Sequence, residues 1–353
     1  MRINRFLTFT LLAVSAGLIG CGGGGGNGGG GGGLGFEDAT FDATVIRPGI
    51  GLTTVFARIN QGGTTVGSTL IAAGDLRASS WSEAGGFDLL PEPPGFNQSV
   101  GTYNNDSGTV VGRAITSALV TSPMRITGGL AEVLDWSSVG STGEAQVINN
   151  SGVIGGIVYG VPNSTLVRQN ADSTLTSRGP FLNPICRAIN GAGAIVGGYE
   201  TDGAGNGPAF VWSGATFTTF DAPGFAYTVA NDINTAGVVV GRAGRVNQVG
   251  RAFVRIGGTT TLLTNPAGFN NAFATTINDD GVIGGYVADD SGNNPRGCFW
   301  VDGNPILINS RVTLSNSGVV TFVNDLNNSG NFLVTVDESG TSFNTILTPN
   351  NLD

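Results

Sequence analysis

One short frame is written seven times along this chain. It reads apolar–Asn–x–x–Gly, then a β-branched run closed by Gly. The copies are INQGGTTVG (59–67), NNDSGTVVG (104–112), INNSGVIGG (148–156), INGAGAIVG (189–197), INTAGVVVG (233–241), INDDGVIGG (277–285) and LNNSGNFLV (326–334). The aligned asparagines, residues 60, 105, 149, 190, 234, 278 and 327, are spaced by 45, 44, 41, 44, 44 and 49 positions. A period near 44 is too long for one coil of a β-solenoid and suits a small sheet repeated around an axis.

The frame itself predicts a hairpin. Asn is favoured at the first position of a type I turn, where its side chain caps a nearby amide, and Gly three places on takes positive φ and forms a G1 bulge. The Val238–Val240 run that follows lacks alternation, so its strand is expected to be buried on both faces. The closing glycines (Gly67, Gly112, Gly156, Gly197, Gly241, Gly285) are expected where backbones approach closely. Two further strands follow each frame, as in GPAFVWSG with ATFTTFDAPGF and GRAFVRIG with TTTLLTNPAGF. Each unit therefore predicts four antiparallel strands, with the Asn at the end of the innermost one.

The two ends support this phasing. After the seventh frame only three strands can be written, TFVNDLN, NFLVTVD and TSFNTILTP. Before the first frame lies ATFDATVIRPGIG (39–51), which reads like ATFTTFDAPGFA (215–226). This orphan would complete the last sheet and remove an exposed edge. The expected fold is all-β: a seven-bladed β-propeller of four-stranded antiparallel blades over residues 36–353, closed by the N-terminal strand joining the last blade.

Frames of this type followed by an A-F-x-W strand resemble the HAF-type extracellular repeat family of bacteria. The likeness covers most of residues 36–350 and is strongest in 184–302. Where the family's motif carries His, this chain has Pro208, Arg251 or Gly297. The resemblance implies repetition and exposure at a cell surface; it implies no chemistry. WD-type repeats share the period, but Gly-His and Trp-Asp pairs are missing, and the one neighbouring pair is reversed, Asp135-Trp136.

The N-terminus carries an address. MRINR supplies two positive charges and FLTFTLLAVSAGLIG an apolar stretch too short for a typical membrane span, which is signal-peptide anatomy. It ends in Leu18-Ile19-Gly20-Cys21, which resembles the lipobox of bacterial lipoproteins. That resemblance implies a signal peptide over 1–20, cleavage before Cys21 and acylation of its thiol. Several acyl chains, each giving about 0.8 kcal/mol per buried CH₂, would hold the protein on the bilayer. The Gly-rich segment within 21–35 then reads as a tether with a reach of roughly 20 Å. The expected location is extracytoplasmic and lipid-anchored, on the outer membrane or cell surface of a host with two membranes.

Composition narrows the function. The formal net charge is −9, all sixteen basic residues are Arg, and there is no His. A nucleic-acid partner would need a basic face, and none is written here. Without His, Ser-His-Asp and Cys-His arrangements are excluded. Cys186 and Cys298 replace small residues of neighbouring copies (Ala230 and Ala274; Ala209 and Ala252) and read as buried fillers rather than a disulfide. The loops ETDGAGNG (200–207) and DDSGNN (289–294) could offer oxygens to Ca²⁺, but they have plain hairpin-loop composition. No cofactor and no metal is implied.

The copies differ most just before the frame Asn. Two places before it stand Arg58, Tyr103, Val147, Ala188, Asp232, Thr276 and Asp325; Gln146, Arg187, Asn231 and Asn324 lie one residue earlier. If the innermost strands line a channel, Arg58, Tyr103, Arg187, Asn231, Asp232, Asn324 and Asp325 are candidate ligand contacts. The leading reading is a monomeric binding module for a glycan, a wall component or a protein. A propeller hydrolase or lyase would instead use the rim carboxylates Asp232 and Asp325, and a structural surface protein would use neither.

Overall fold

The structure is a computed structural model that describes residues 36–47, 52–71, 74–244 and 249–350. The expected signal peptide, Cys21 and the glycine tether lie outside the described residues.

The regular structure of the described residues is almost entirely antiparallel strand, arranged as five four-stranded sheets and one seven-stranded sheet. Except where the N-terminal strand joins the last sheet, the strands follow chain order outward from the frame. Thr228–Ile233, Val239–Ala243, Arg251–Ile256 and Thr259–Leu262 make one such sheet. Asn271–Ile277, Ile283–Ala288, Arg296–Val301 and Asn304–Leu307 make the next.

The frame turns form as the residues dictate. In all seven copies the glycine three places after the Asn has φ between +77° and +83°. In all seven, the Asn Oδ1 accepts the backbone N–H four residues on, at 2.9 Å. The side chain thus satisfies an amide that the turn would otherwise strand.

Every innermost strand carries a β-bulge three residues before its frame Asn, at residues 57, 102, 146, 187, 231, 275 and 324. The bulge explains the closing glycine. Gly67, Gly112, Gly156, Gly197, Gly241 and Gly285 each pair with the residue just before the bulge. A Cβ on any of them would overlap a carbonyl oxygen of the bulged strand (Val55, Val100, Glu144, Ile185, Val229 or Phe273). The close approach is therefore within one sheet, not between sheets. The seventh copy has Val334 here, and its innermost strand carries a second register shift between Val320 and Phe322.

The N-terminal strand Phe41–Val45 pairs with Thr341–Pro349 and forms the edge of the sheet built from the last three strands. Phe41 packs edge-on against Phe299 and Phe332 at 6.2 and 5.4 Å. The first described strand thus shares a core with the last two copies.

One junction differs from the others. The third and fourth copies share a single strand, Leu175–Ile189, so six sheets are counted where seven were expected. Its first half pairs with Ser164–Gln169 and its second with Ile195–Glu200. Elsewhere the outer strand returns to the axis through a tight turn, such as Pro223-Gly224 with φ +84° at Gly224. The interval from Asn149 to Asn190 is the shortest, 41 residues. It omits that turn, and the chain continues as one bent strand through Gly179 at φ +121° and Asn183 at φ +46°.

The core lies between the sheets. Phe210, Trp212, Phe253, Phe299 and Trp300, all from third strands, are fully buried. Each such side chain contributes roughly 1.5–3 kcal/mol by leaving water. One cluster joins Ala188, Val196 and Ala209 of the fourth copy to Ala230, Ile233, Val239 and Phe253 of the fifth.

Candidate functional site

The frame asparagines also link the copies to one another. Each Nδ2 donates to the backbone carbonyl of the next copy's Asn at 3.0–3.1 Å: 60 to 105, 105 to 149, 149 to 190, 190 to 234, 234 to 278, and 327 back to 60. The link from 278 to 327 is missing, and Asn278 Nδ2 has no partner. Six bonds therefore set seven buried asparagines in a ring, with the last copy bonded to the first.

The residues just before the frame work in the same direction. Thr102 Oγ1, Asn231 Nδ2, Thr275 Oγ1 and Asn324 Nδ2 donate to the carbonyls of Ala145, Ala274, Val323 and Phe56 in the following copy, at 2.8–3.2 Å. Gln146 Oε1 accepts the N–H of Cys186 at 2.8 Å. The carboxylates of Asp232 and Asp325 accept the N–H of Ile277 at 2.5 Å and of Ile59 at 2.9 Å. Both Asp side chains are fully buried. Asn231, Asp232, Asn324 and Asp325 therefore hold neighbouring copies together. They lie along the seams between copies, and the two carboxylates are engaged by backbone rather than facing each other across open space.

The remaining three candidates converge. Arg58 is only 5% exposed, and its guanidinium lies 4.6 Å from the ring centre of Tyr103 in the next copy. Its Nη2 donates to the carbonyl of Arg187 at 3.0 Å. The first and fourth copies are not neighbours in the ring, so this contact spans the central space. Arg58 Nε and Nη1 are buried without a hydrogen-bond partner. Arg187 is half-buried; burial and the neighbouring Arg242 and Arg58 push its guanidinium down to about 10.

Around these stand groups that sequence reasoning missed. Arg242 lies 5.7 Å from the Tyr227 ring centre and also acts on Tyr286, whose hydroxyl burial holds above its ordinary range. Tyr286 stacks on Phe273 at 4.8 Å and meets Phe322 edge-on at 4.8 Å. Arg113 is paired to Glu144, which also takes a hydrogen bond from Gln146. Burial pushes the Glu144 carboxyl up, but Arg113 and these hydrogen bonds outweigh it and hold the group below its usual range. Arg113, Arg242 and Tyr286 all directly follow a closing glycine. Aligning the copies one residue further would have found them.

The other candidate features are self-contained. Asp202 Oδ1 accepts the N–H of Ala204 and Asn206, and Asp289 Oδ1 accepts those of Ser291 and Asn293, so these loops bind their own backbone. Cys186 and Cys298 are buried free thiols. A separate groove of about 590 Å³ lies between the second and third copies, lined by Asn105, Arg125, Leu130, Glu132 and Asn150.

No known protein family and no curated protein matches this chain in sequence. Solved structures do match. The β-propeller domain of the trilobed protease from Pyrococcus furiosus superposes with a TM-score of 0.55 at 8% identity, over 82% of this chain and 97% of that one. The fold is a β-propeller. The Pyrococcus horikoshii acylaminoacyl peptidase matches with a TM-score of 0.51 at 8% identity, over 85% of this chain and 50% of its own length. At such identities the likeness concerns the propeller scaffold alone.

Proposed function

We propose that this chain is a membrane-tethered, seven-bladed β-propeller that acts outside the cytoplasm as a binding module, taking its ligand at the axial arginine and tyrosine cluster. Dividing the seven-stranded sheet within Leu175–Ile189 yields seven four-stranded blades. Seven bulged inner strands and the asparagine ring support that division. The tether reading rests on Cys21 and the apolar segment before it, and the HAF-type frame agrees with a surface location.

The observation that carries the binding reading is the state of Arg58, a guanidinium buried at the axis with two nitrogens unpaired. A stable fold does not retain such a group without cost, and a ligand is a natural partner. The ligand classes are a glycan, a cell-wall component or a protein. The hydrolase reading loses support, because Asp232 and Asp325 are buried on backbone amides.

The test is a glycan and cell-wall array probed with the full chain in mild detergent. Saturable binding that is lost in Arg58→Met or Arg187→Ala, with melting temperature maintained, supports the axial site. Binding untouched by both substitutions sinks it, and loss on changing Leu130 or Glu132 would move the site to the groove between the second and third copies.

A further inference from the structure

We infer that the axial site takes an anionic group, a carboxylate, sulfate or phosphate carried by a small ligand, held by Arg58, Arg187 and Arg242 over the ring of Tyr103. This deepens the axial binding reading and rests on it.

Charge placement comes first. The chain carries a net charge of −9, yet four of its arginines (58, 113, 187 and 242) act on one another or on Glu144 around the axis. Glu144 is already committed to Arg113. The four ion pairs found among the described residues include neither Arg58 nor Arg242. The carboxylates of Asp232 and Asp325 on the same inner strands are turned onto the N–H groups of Ile277 and Ile59, so four arginines outnumber three carboxylates at the centre of an otherwise acidic protein. A low-dielectric wall around such a centre concentrates its field on whatever enters.

The hydrogen-bond chemistry of Arg58 points the same way. A guanidinium has five N–H bonds. In Arg58 the Nη2 is used by the Arg187 carbonyl, while Nε and Nη1, which carry three N–H bonds, are not. Buried donors of this kind are matched by an oxyanion better than by a neutral hydroxyl, because its oxygens accept two parallel N–H bonds and its charge neutralises the buried guanidinium. Arg58 lies against the Tyr103 ring, so its orientation is set before a ligand arrives. Arg242, over the Tyr227 ring at 5.7 Å, adds a further positive charge that acts on Arg187.

The test uses the full chain in mild detergent at constant ionic strength, titrated calorimetrically with D-glucuronate, inorganic phosphate and inorganic sulfate. Glucose is the neutral control. At least one anion should bind saturably, glucose should not, and Arg58→Met should weaken the binding at least tenfold. Arg242→Gln should weaken it several-fold, while Arg178→Gln, on a half-buried arginine that lies over Trp212 instead of Tyr103, should leave it unchanged. Without ligand, Arg58→Met should melt at or above the wild-type temperature, since it removes an unpaired buried charge. Saturable anion binding that ignores both Arg58→Met and Arg242→Gln overturns the assignment. If no anion binds but an array ligand is still lost in Arg187→Ala, the anion inference falls and the axial site stands. If neither is seen, both fall.

Discussion

Asn327 Nδ2 donates to the backbone carbonyl of Asn60 at 3.0 Å, joining residues 267 positions apart. It is the same bond that joins Asn190 to Asn234. The last copy therefore meets the first as the fourth meets the fifth.

That equivalence makes the asparagines testable. Asn190→Ala removes the cap on Ala194 N–H and the donor to Asn234. With each buried orphan costing about 1–3 kcal/mol, the loss should be roughly 2–4 kcal/mol in urea denaturation. Asn278→Ala loses only the cap on Val282, because Asn278 Nδ2 has no partner. It should cost less than Asn190→Ala by about 1 kcal/mol.

The closing glycine is a steric requirement of the bulge. Gly241→Ala drives a methyl into the Val229 carbonyl and should destabilise by about 1–3 kcal/mol. Gly237→Ala meets open space but sits at φ +78°, so roughly 1–2 kcal/mol is expected. Thermal melts of the two variants separate crowding from backbone strain.

Acid should act through Glu144. Its folded-state value lies below the ordinary carboxyl range, so its contribution is fully present above the unfolded value and is lost as pH falls through the folded one. Glu144→Gln leaves Arg113 buried without its counter-charge and should cost about 3 kcal/mol at neutral pH. The variant should also lose this part of the acid dependence, as measured by denaturation between pH 7 and pH 3.

The N-terminal strand is integral to the fold. Phe41→Ala empties a pocket between Phe299 and Phe332 and should cost about 3–5 kcal/mol. Deleting residues 36–47 should lower the melting temperature further and promote association through the bared edge of Thr341–Pro349. Light scattering of the truncated chain checks the second effect.

Thiol counting tests the anchor. Burial holds the Cys186 and Cys298 thiols far above their usual range, so neither should react with a thiol reagent in the native protein. In denaturant, protein processed by a bacterial host should show two reactive thiols; a third would mean that Cys21 is not acylated.

Much of this was legible because one frame recurs. The Asn cap, the left-handed glycine, the four-strand unit and the edge strand from 41 to 45 are local or periodic, and both properties survive in a linear text. The merged sheet was hidden in a spacing shortened to 41 residues, from which the return turn is omitted. The residues before each Asn misled for a subtler reason. Thr102, Asn231, Thr275 and Asn324 differ chemically, yet each reaches the next copy's carbonyl. Backbone partners accept any short donor, so side-chain variety there concealed a shared role. The approach of Arg58 to Arg187 crosses the ring, and no periodicity encodes it.

The bond from residue 327 to residue 60 also bears on engineering. A wheel fastened at its seam like the joint between its fourth and fifth copies has no privileged starting point, so new termini opened in an outer loop, with the old ones spliced, should regenerate the same wheel.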